Sequence, residues 1–251
     1  MKIVIIGGSG LIGRKLAALL RQAGHVALPA SPSSGVDSVT GAGLSPALAG
    51  AQVVVDVTNS PSFEDEAVMR FFRASTENLL AAELAAGVRH HVALSVVGSE
   101  RVPGSGYFRA KVAQESIIEA ATVPYTIVRA TQFFEFLTPI ADASTQGRTV
   151  RASSAKLQPI AADDVAAALA KVATEPALNG TCEIAGPQSF GLDELLRLTL
   201  RSRRDPRDVV TDDDALYFGT RLDDASLMPG AEARVGTTSL ERWLAGGAAS
   251  K

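Results

Sequence analysis

Residues 3–13 read IVIIGGSGLIG, and no other stretch of the chain constrains its fold as tightly. Four apolar residues, Ile3 to Ile6, run directly into Gly7, Gly8, Gly10 and Gly13. A helical pattern follows at once, with Leu11, Ile12, Leu16, Leu19 and Leu20 apolar at three- and four-residue spacings. Strand, glycine turn and helix in that order is the context in which G-x-G-x-x-G signals a dinucleotide. On this reading Gly8 permits the tight turn, Gly10 lets a pyrophosphate approach the backbone, and Gly13 lets the helix pack close to the strand. The free N–H groups and positive dipole end of the helix would hold the phosphates.

The rest of the chain alternates strand and helix. Strands are expected at 3–6, 25–29, 53–57, 91–97, 125–129 and 181–185, and helices at 11–23, 64–86, 107–121, 162–174 and 192–203. A further strand within 31–43 would be short, because SPSSGVDSVTGAG is small and polar. Unbroken apolar strands such as VVVDV suit a sheet covered on both faces. The expectation is an α/β chain: a Rossmann-like, doubly wound parallel sheet over 1–188, with 189–251 as a small C-terminal lobe capping the substrate crevice.

Composition narrows the partners. A net charge of −3 gives no reason to expect nucleic acid or an anionic membrane. The basic run RSRRDPR, 201–207, closes a helix whose dipole it suits. No apolar run reaches membrane-spanning length and no signal peptide is evident, so a cytoplasmic location is expected. Cys182 reads as a packed thiol, and His25, His90 and His91 lack ligand spacing, so no metal is expected. The partner is then a small-molecule substrate, for a monomer or homodimer.

Tyr107 and Lys111 stand four residues apart in YFRAK and would share a helix face. A neighbouring ammonium favours the phenolate of a tyrosine, and the lysine can also hold a nicotinamide ribose. Cofactor choice turns on the residues after the second strand. An acid about 20 residues past the glycines usually holds the ribose 2′-OH. This chain has Ala30-Ser31-Pro32-Ser33-Ser34 there, so NADP(H) is favoured over NAD(H). Ser31, Ser33 and Ser34 would bond the 2′-phosphate, with Arg14 adding charge-assisted bonds. Asp163 and Asp164 read as helix-capping acids. Glu135 reads as either a substrate-facing acid or a solvated one, and Arg129 as a partner of the cofactor or of a carboxylate such as Glu135.

The chain resembles the atypical, NmrA-like short-chain dehydrogenases/reductases. The resemblance rests on GGSGLIG at 7–13, VVVDVTN at 53–59, HVALSVVG at 91–98, YFRAKVAQE at 107–115, PYTIVRATQFFEF at 124–136 and QPIAADDVA at 158–166. It implies that Gly7, Gly8, Ser9, Gly10, Leu11, Ile12 and Gly13 wrap the pyrophosphate, and that Val57, Thr58 and Asn59 edge the adenosine. It implies Tyr107 as acid/base, Lys111 as its ribose-holding partner and Ser95 as the hydroxyl that polarises a carbonyl. Ala130 and Thr131 would meet the nicotinamide, Gln132 the substrate, and Phe133, Phe134 and Phe136 would line the pocket mouth. The implied function is hydride transfer between NAD(P) and a small carbonyl or quinone-like substrate. The alternatives are a non-catalytic NADP(H) redox sensor and a nucleotide-sugar epimerase or dehydratase.

Overall fold

The computed structural model describes residues 1–248 of the 251. Its central sheet has seven strands. They include β1 (Lys2–Ile6), β2 (Val26–Ala30), β3 (Val53–Asp56), β4 (His90–Val96) and β5 (Tyr125–Ala130). The order across the sheet is Arg234–Val235, Gly180–Ala185, β5, β4, β3, β1, β2. β1 pairs in parallel with β2 and β3, and β3 in parallel with β4. The strand order reverses at β1, and in such sheets the crevice at the C-terminal strand ends beside the reversal is where ligands bind.

The helices follow the sequence reading closely: α1 (Leu11–Gln22), α2 (Leu44–Leu48), α3 (Asp65–Ala86), α4 (Gly106–Glu119), α5 (Leu137–Ala143), α6 (Ala162–Thr174), α7 (Leu192–Ser202) and α8 (Leu240–Ala248). α2, α5 and α8 are short elements that the periodicity did not reveal. The third-strand region, 31–43, carries no strand. Ser31 and Ser34 bond each other's backbone and close a 3-10 turn over Pro32–Ser34, and Gly35 leaves it with φ +80°. β2 is therefore a sheet edge, which explains its proline and its exposed Val26. β1 and β3 are buried on both faces, as their apolar runs require.

Packing divides the chain into two units, where the sequence suggested a single cut after 188. The first comprises 1–96, 106–129 and 165–182; the second comprises 97–105, 130–164 and 183–251. The first contains the glycine turn, α3 and α4. The second contains a three-stranded sheet of Thr145–Gln146, Thr149–Ala152 and Asp208–Thr211, which also lay below the reach of sequence pattern. No helix among the described residues is long and apolar enough to cross a membrane.

Candidate active site

The glycine turn has the expected shape with one exchange of roles. Gly7 rather than Gly8 makes the turn: its φ is +80°, and a Cβ there would lie 2.8 Å from the Val57 carbonyl oxygen. Gly8 is instead pressed on the edge strand, where a Cβ would lie 2.5 Å from Pro29 Cα. Gly13 packs the helix on the turn, since a Cβ would come within 2.5 Å of the Gly7 oxygen. Gly10 is the N-cap of α1, is exposed, and would bring a Cβ near only the Gly7 oxygen, at 3.2 Å. No side chain caps α1 and no acid lies in its first turn, so its leading N–H groups remain available to an anion. Ser9 is exposed, Leu11 half-buried and Ile12 buried, so Ile12 offers its backbone only. Arg14 folds back over the turn, its Nη1 donating to the Ser9 carbonyl at 2.7 Å.

The residues expected at the adenosine end are more occupied. The Ser31 and Ser33 hydroxyls lie 2.9 Å apart, and the Ser34 hydroxyl donates to the Ser31 carbonyl at 2.9 Å. These serines are already committed to their own turn. After β3, Val57 N donates to the Ile6 carbonyl and Thr58 N to Asp56 Oδ1, at 3.0 and 2.9 Å. Thr58 Oγ1 is buried without a partner, and Asn59 is exposed.

Lys111 is buried on α4. Its Nζ donates to the Leu94 carbonyl at 2.8 Å and to Gln114 Oε1, and it lies 4.5 Å from the centre of the Phe72 ring. Burial pulls its pKa down to about 8, against the raising effect of the Asp56 and Glu115 carboxylates. Ser95, at the end of β4, is buried with an unpartnered Oγ. Tyr107 shares the α4 face with Lys111, but its ring joins an aromatic cluster with Phe63, Phe72 and Phe108 at 5.7, 6.0 and 5.8 Å. Burial pushes its phenol up to about 12. Among the described residues no hydrogen bond joins it to Lys111.

The second unit holds the remaining expected residues. Ala130 is buried, and its carbonyl accepts from Val97 N at 2.9 Å. Thr131 Oγ1 and both polar side-chain atoms of Gln132 are buried without partners. Phe133 and Phe136 stack at 5.5 Å, whereas Phe134 turns inward and packs on Trp243 at 5.4 Å. Phe134 is thus a core residue, not a pocket-mouth residue. Glu135 also has a structural role. Both its oxygens accept from Ala162 N, at 3.2 and 3.1 Å, and Trp243 Nε1 donates to it, so it caps α6. Asp164, expected to cap that helix, accepts from Thr238 N instead. Glu135→Ala is expected to cost about 1–2 kcal/mol, read as a lower urea midpoint. Arg129 is held by Glu115 rather than Glu135, through two bonds of 3.0 and 2.6 Å.

Sequence reasoning missed Gln114, which bonds Lys111, and Asp56, which bonds Gln114. Gln114 Nε2 donates to Asp56 Oδ2 at 3.1 Å. The available signals were an acid breaking the apolar run VVVDV and an amide three residues past the lysine on one helix. The residues of the first unit fit a dinucleotide. Side-chain-free backbone stands at the turn, an uncapped helix follows it, and the orphaned hydroxyls of Thr58 and Ser95 await partners.

Comparison with known proteins agrees. Residues 7–176 match the model of a family described as NAD(P)H-binding. The (4-alkanoyl-5-oxo-2,5-dihydrofuran-3-yl)methyl phosphate reductase of Streptomyces griseus is 30% identical over 204 residues, 75% of this chain and 69% of that protein. A short-chain dehydrogenase/reductase superfamily protein from Agrobacterium tumefaciens, solved with NAD, superposes with a TM-score of 0.73 at 19% identity, covering 99% and 96% of the two chains. An NADPH-dependent quinone oxidoreductase from Escherichia coli gives 0.70 at 16% identity over 97% and 98%.

Proposed function

We propose, from the premise that this chain belongs to the NAD(P)H-binding family, that it is an NAD(P)H-dependent reductase of a small carbonyl or quinone-like substrate, as its resemblance to the NmrA-like short-chain dehydrogenases/reductases implies. The observation that carries this reading is a buried lysine ammonium at the end of β4, in the same unit as a glycine turn that opens on an uncapped helix. The nicotinamide supplies the hydride when bound. The chain supplies the rest.

Lys111 spends two of its three N–H donors on Leu94 and Gln114, which leaves one for a ribose hydroxyl or a substrate oxygen. A pKa about 8 lets it hold a proton at neutral pH and still release it. Ser95 Oγ, buried and unpartnered, suits donation to a carbonyl oxygen that gains charge. The alkanoyl and oxo groups in the name of the Streptomyces relative's substrate support a carbonyl-bearing compound. NADPH is proposed over NADH because residues 31–34, directly after β2, hold no carboxylate to repel a 2′-phosphate, and Arg14 lies on the turn.

The geometry favours Lys111 over Tyr107 as the group that handles the proton, since the tyrosine ring packs against Phe63, Phe72 and Phe108 and, among the described residues, no hydrogen bond joins it to Lys111. Lys111→Met should lower kcat/KM about 100-fold or more, the scale of a lost general acid. Tyr107→Phe, which keeps the ring packing, should lower it less than about tenfold. Collapse of turnover in Tyr107→Phe would return the proton to the phenol. Paired fluorescence titrations with NADPH and NADH test the premise, and failure of both nucleotides to bind folded protein would overturn the reading.

A further inference from the structure

We infer that Gln114 and Asp56 are positioning residues for Lys111, forming a buried relay that ties the lysine to the loop beside the glycine turn. The inference rests on the proposed role of Lys111 in the NAD(P)H site and adds the machinery that fixes its ammonium.

The direction of the relay follows from donor chemistry alone. An ammonium only donates and a carboxylate only accepts. An amide between them must therefore turn its oxygen to Lys111 and its nitrogen to Asp56, as the structure has it. The other Asp56 oxygen accepts from Thr58 N at 2.9 Å. Asp56 thereby pins the segment whose Val57 carbonyl lies where a Gly7 side chain would have to go. Lys111, Gln114, Asp56 and Thr58 make one continuous chain of hydrogen bonds inside the first unit.

Burial makes each link matter. Lys111, Gln114 and Asp56 are at most 2% exposed, so a lost partner leaves a buried polar group short of a hydrogen bond. The charge of the lysine lies over the Phe72 ring, 4.5 Å from its centre. Nothing in that packing alone sets the direction of the ammonium. The Leu94 carbonyl and the Gln114 amide do, and the amide is oriented in turn by Asp56. The Asp56 carboxylate attracts the ammonium through space but bonds the amide, not the lysine. This keeps the ammonium polarised without locking it in an ion pair that would compete with a ligand oxygen.

The test reads the lysine directly in the cofactor-free protein. The Lys111 side chain is titrated by carbon-13 NMR of lysine-labelled protein, with the Lys111→Met spectrum assigning its signal. Gln114→Met keeps the length of the side chain and removes its oxygen, so the Lys111 titration midpoint should fall by about one unit. Gln114→Glu places a carboxylate against the ammonium and should raise the midpoint. Opposite shifts from two substitutions at one position are not produced by loosened packing.

Asp56→Asn, which should lower the midpoint, replaces either variant that fails to fold. NADPH affinity, read by fluorescence, should weaken about tenfold in Gln114→Met, and the alkaline limb of the affinity–pH curve should move with the lysine midpoint. Unchanged midpoints in the Gln114 variants would overturn the relay. If the wild-type protein bound neither nucleotide, the proposed function would fail while the titration still reported on the relay, so the two failures are distinguishable.

Discussion

Gly10→Val is expected to remove NAD(P)H binding and leave the fold standing, whereas Gly13→Val should damage both. The two glycines lie three residues apart in one motif and differ in what surrounds them. A side chain on Gly10 meets only the Gly7 carbonyl at 3.2 Å, a contact that yields by a few tenths of an ångström. Its backbone is extended, φ −75° and ψ −179°, a conformation that valine adopts readily. What the side chain covers is the uncapped start of α1. Losing even two backbone bonds to a charged phosphate, each worth about 1.5–3 kcal/mol, weakens binding by about 100-fold or more.

At Gly13 the added carbon would come within 2.5 Å of the Gly7 oxygen and 2.6 Å of Gly8 Cα, both backbone. The helix must then lift from the turn, at a cost of about 1–3 kcal/mol and a fall of about 3–10 °C in Tm. Fluorescence titration and thermal melts on both variants measure the difference. Wild-type NADPH affinity in Gly10→Val would detach the cofactor from this turn altogether.

The same contrast shows what was legible in the sequence. Strand, glycine and helix succeed one another along the chain, so their geometry is local and the pattern reports it. The buried strands Ile3–Ile6 and Val53–Val55 were equally plain, because burial on both faces demands unbroken apolar runs. Residues 31–43 were harder. Two serines that bond each other's backbone turn the chain before a strand can form, and the same serines had suggested a phosphate contact.

The candidate site divides in the same way. Lys111 and Ser95 were named from a motif, and the fold buries both. Arg129 could not be paired from sequence, because Glu115 and Glu135 are both near it in the chain and only the fold decides between them. Asp56 and Gln114 lie 58 residues apart and meet only once β3 and α4 are in place. Phe134 belongs to a run of apolar residues whose inward and outward members are sorted by Trp243, 109 positions further on.

The second large effect is expected far from the glycine turn, at the pair Glu83 and His91. Both side chains are fully buried, and His91 Nδ1 lies 2.8 Å from Glu83 Oε1. The remaining atoms, Glu83 Oε2 and His91 Nε2, have no partner, so the pair depends on its single contact. Burial raises the Glu83 pKa above its ordinary 4.5. Burial opposes charge on His91, but the charge and hydrogen bond of Glu83, together with the charge of Asp56, raise the imidazole above 6.5. The pair therefore keeps a proton to higher pH in the folded chain than in the unfolded one. Its stabilisation is fully present below the unfolded values and is lost as pH rises through the folded titration, above 6.5.

Neighbouring His90 acts with the opposite sign. Burial, then the charge of His91, lowers it to about 4, so its contribution is lost as pH falls from 6.5 toward 4. Glu83→Leu leaves a buried imidazole with no carboxylate and should cost about 3–5 kcal/mol at pH 7. Glu83→Leu with His91→Leu removes both polar groups and should recover most of that loss, because an apolar pair replaces a buried charged one at little cost. Urea unfolding at pH 5, 7 and 9 separates these effects. The double variant should lose the alkaline dependence and keep the part of the acid limb that comes from burial of His90, losing the part due to His91. A double variant no more stable than Glu83→Leu would show that the site needs its shape rather than its proton.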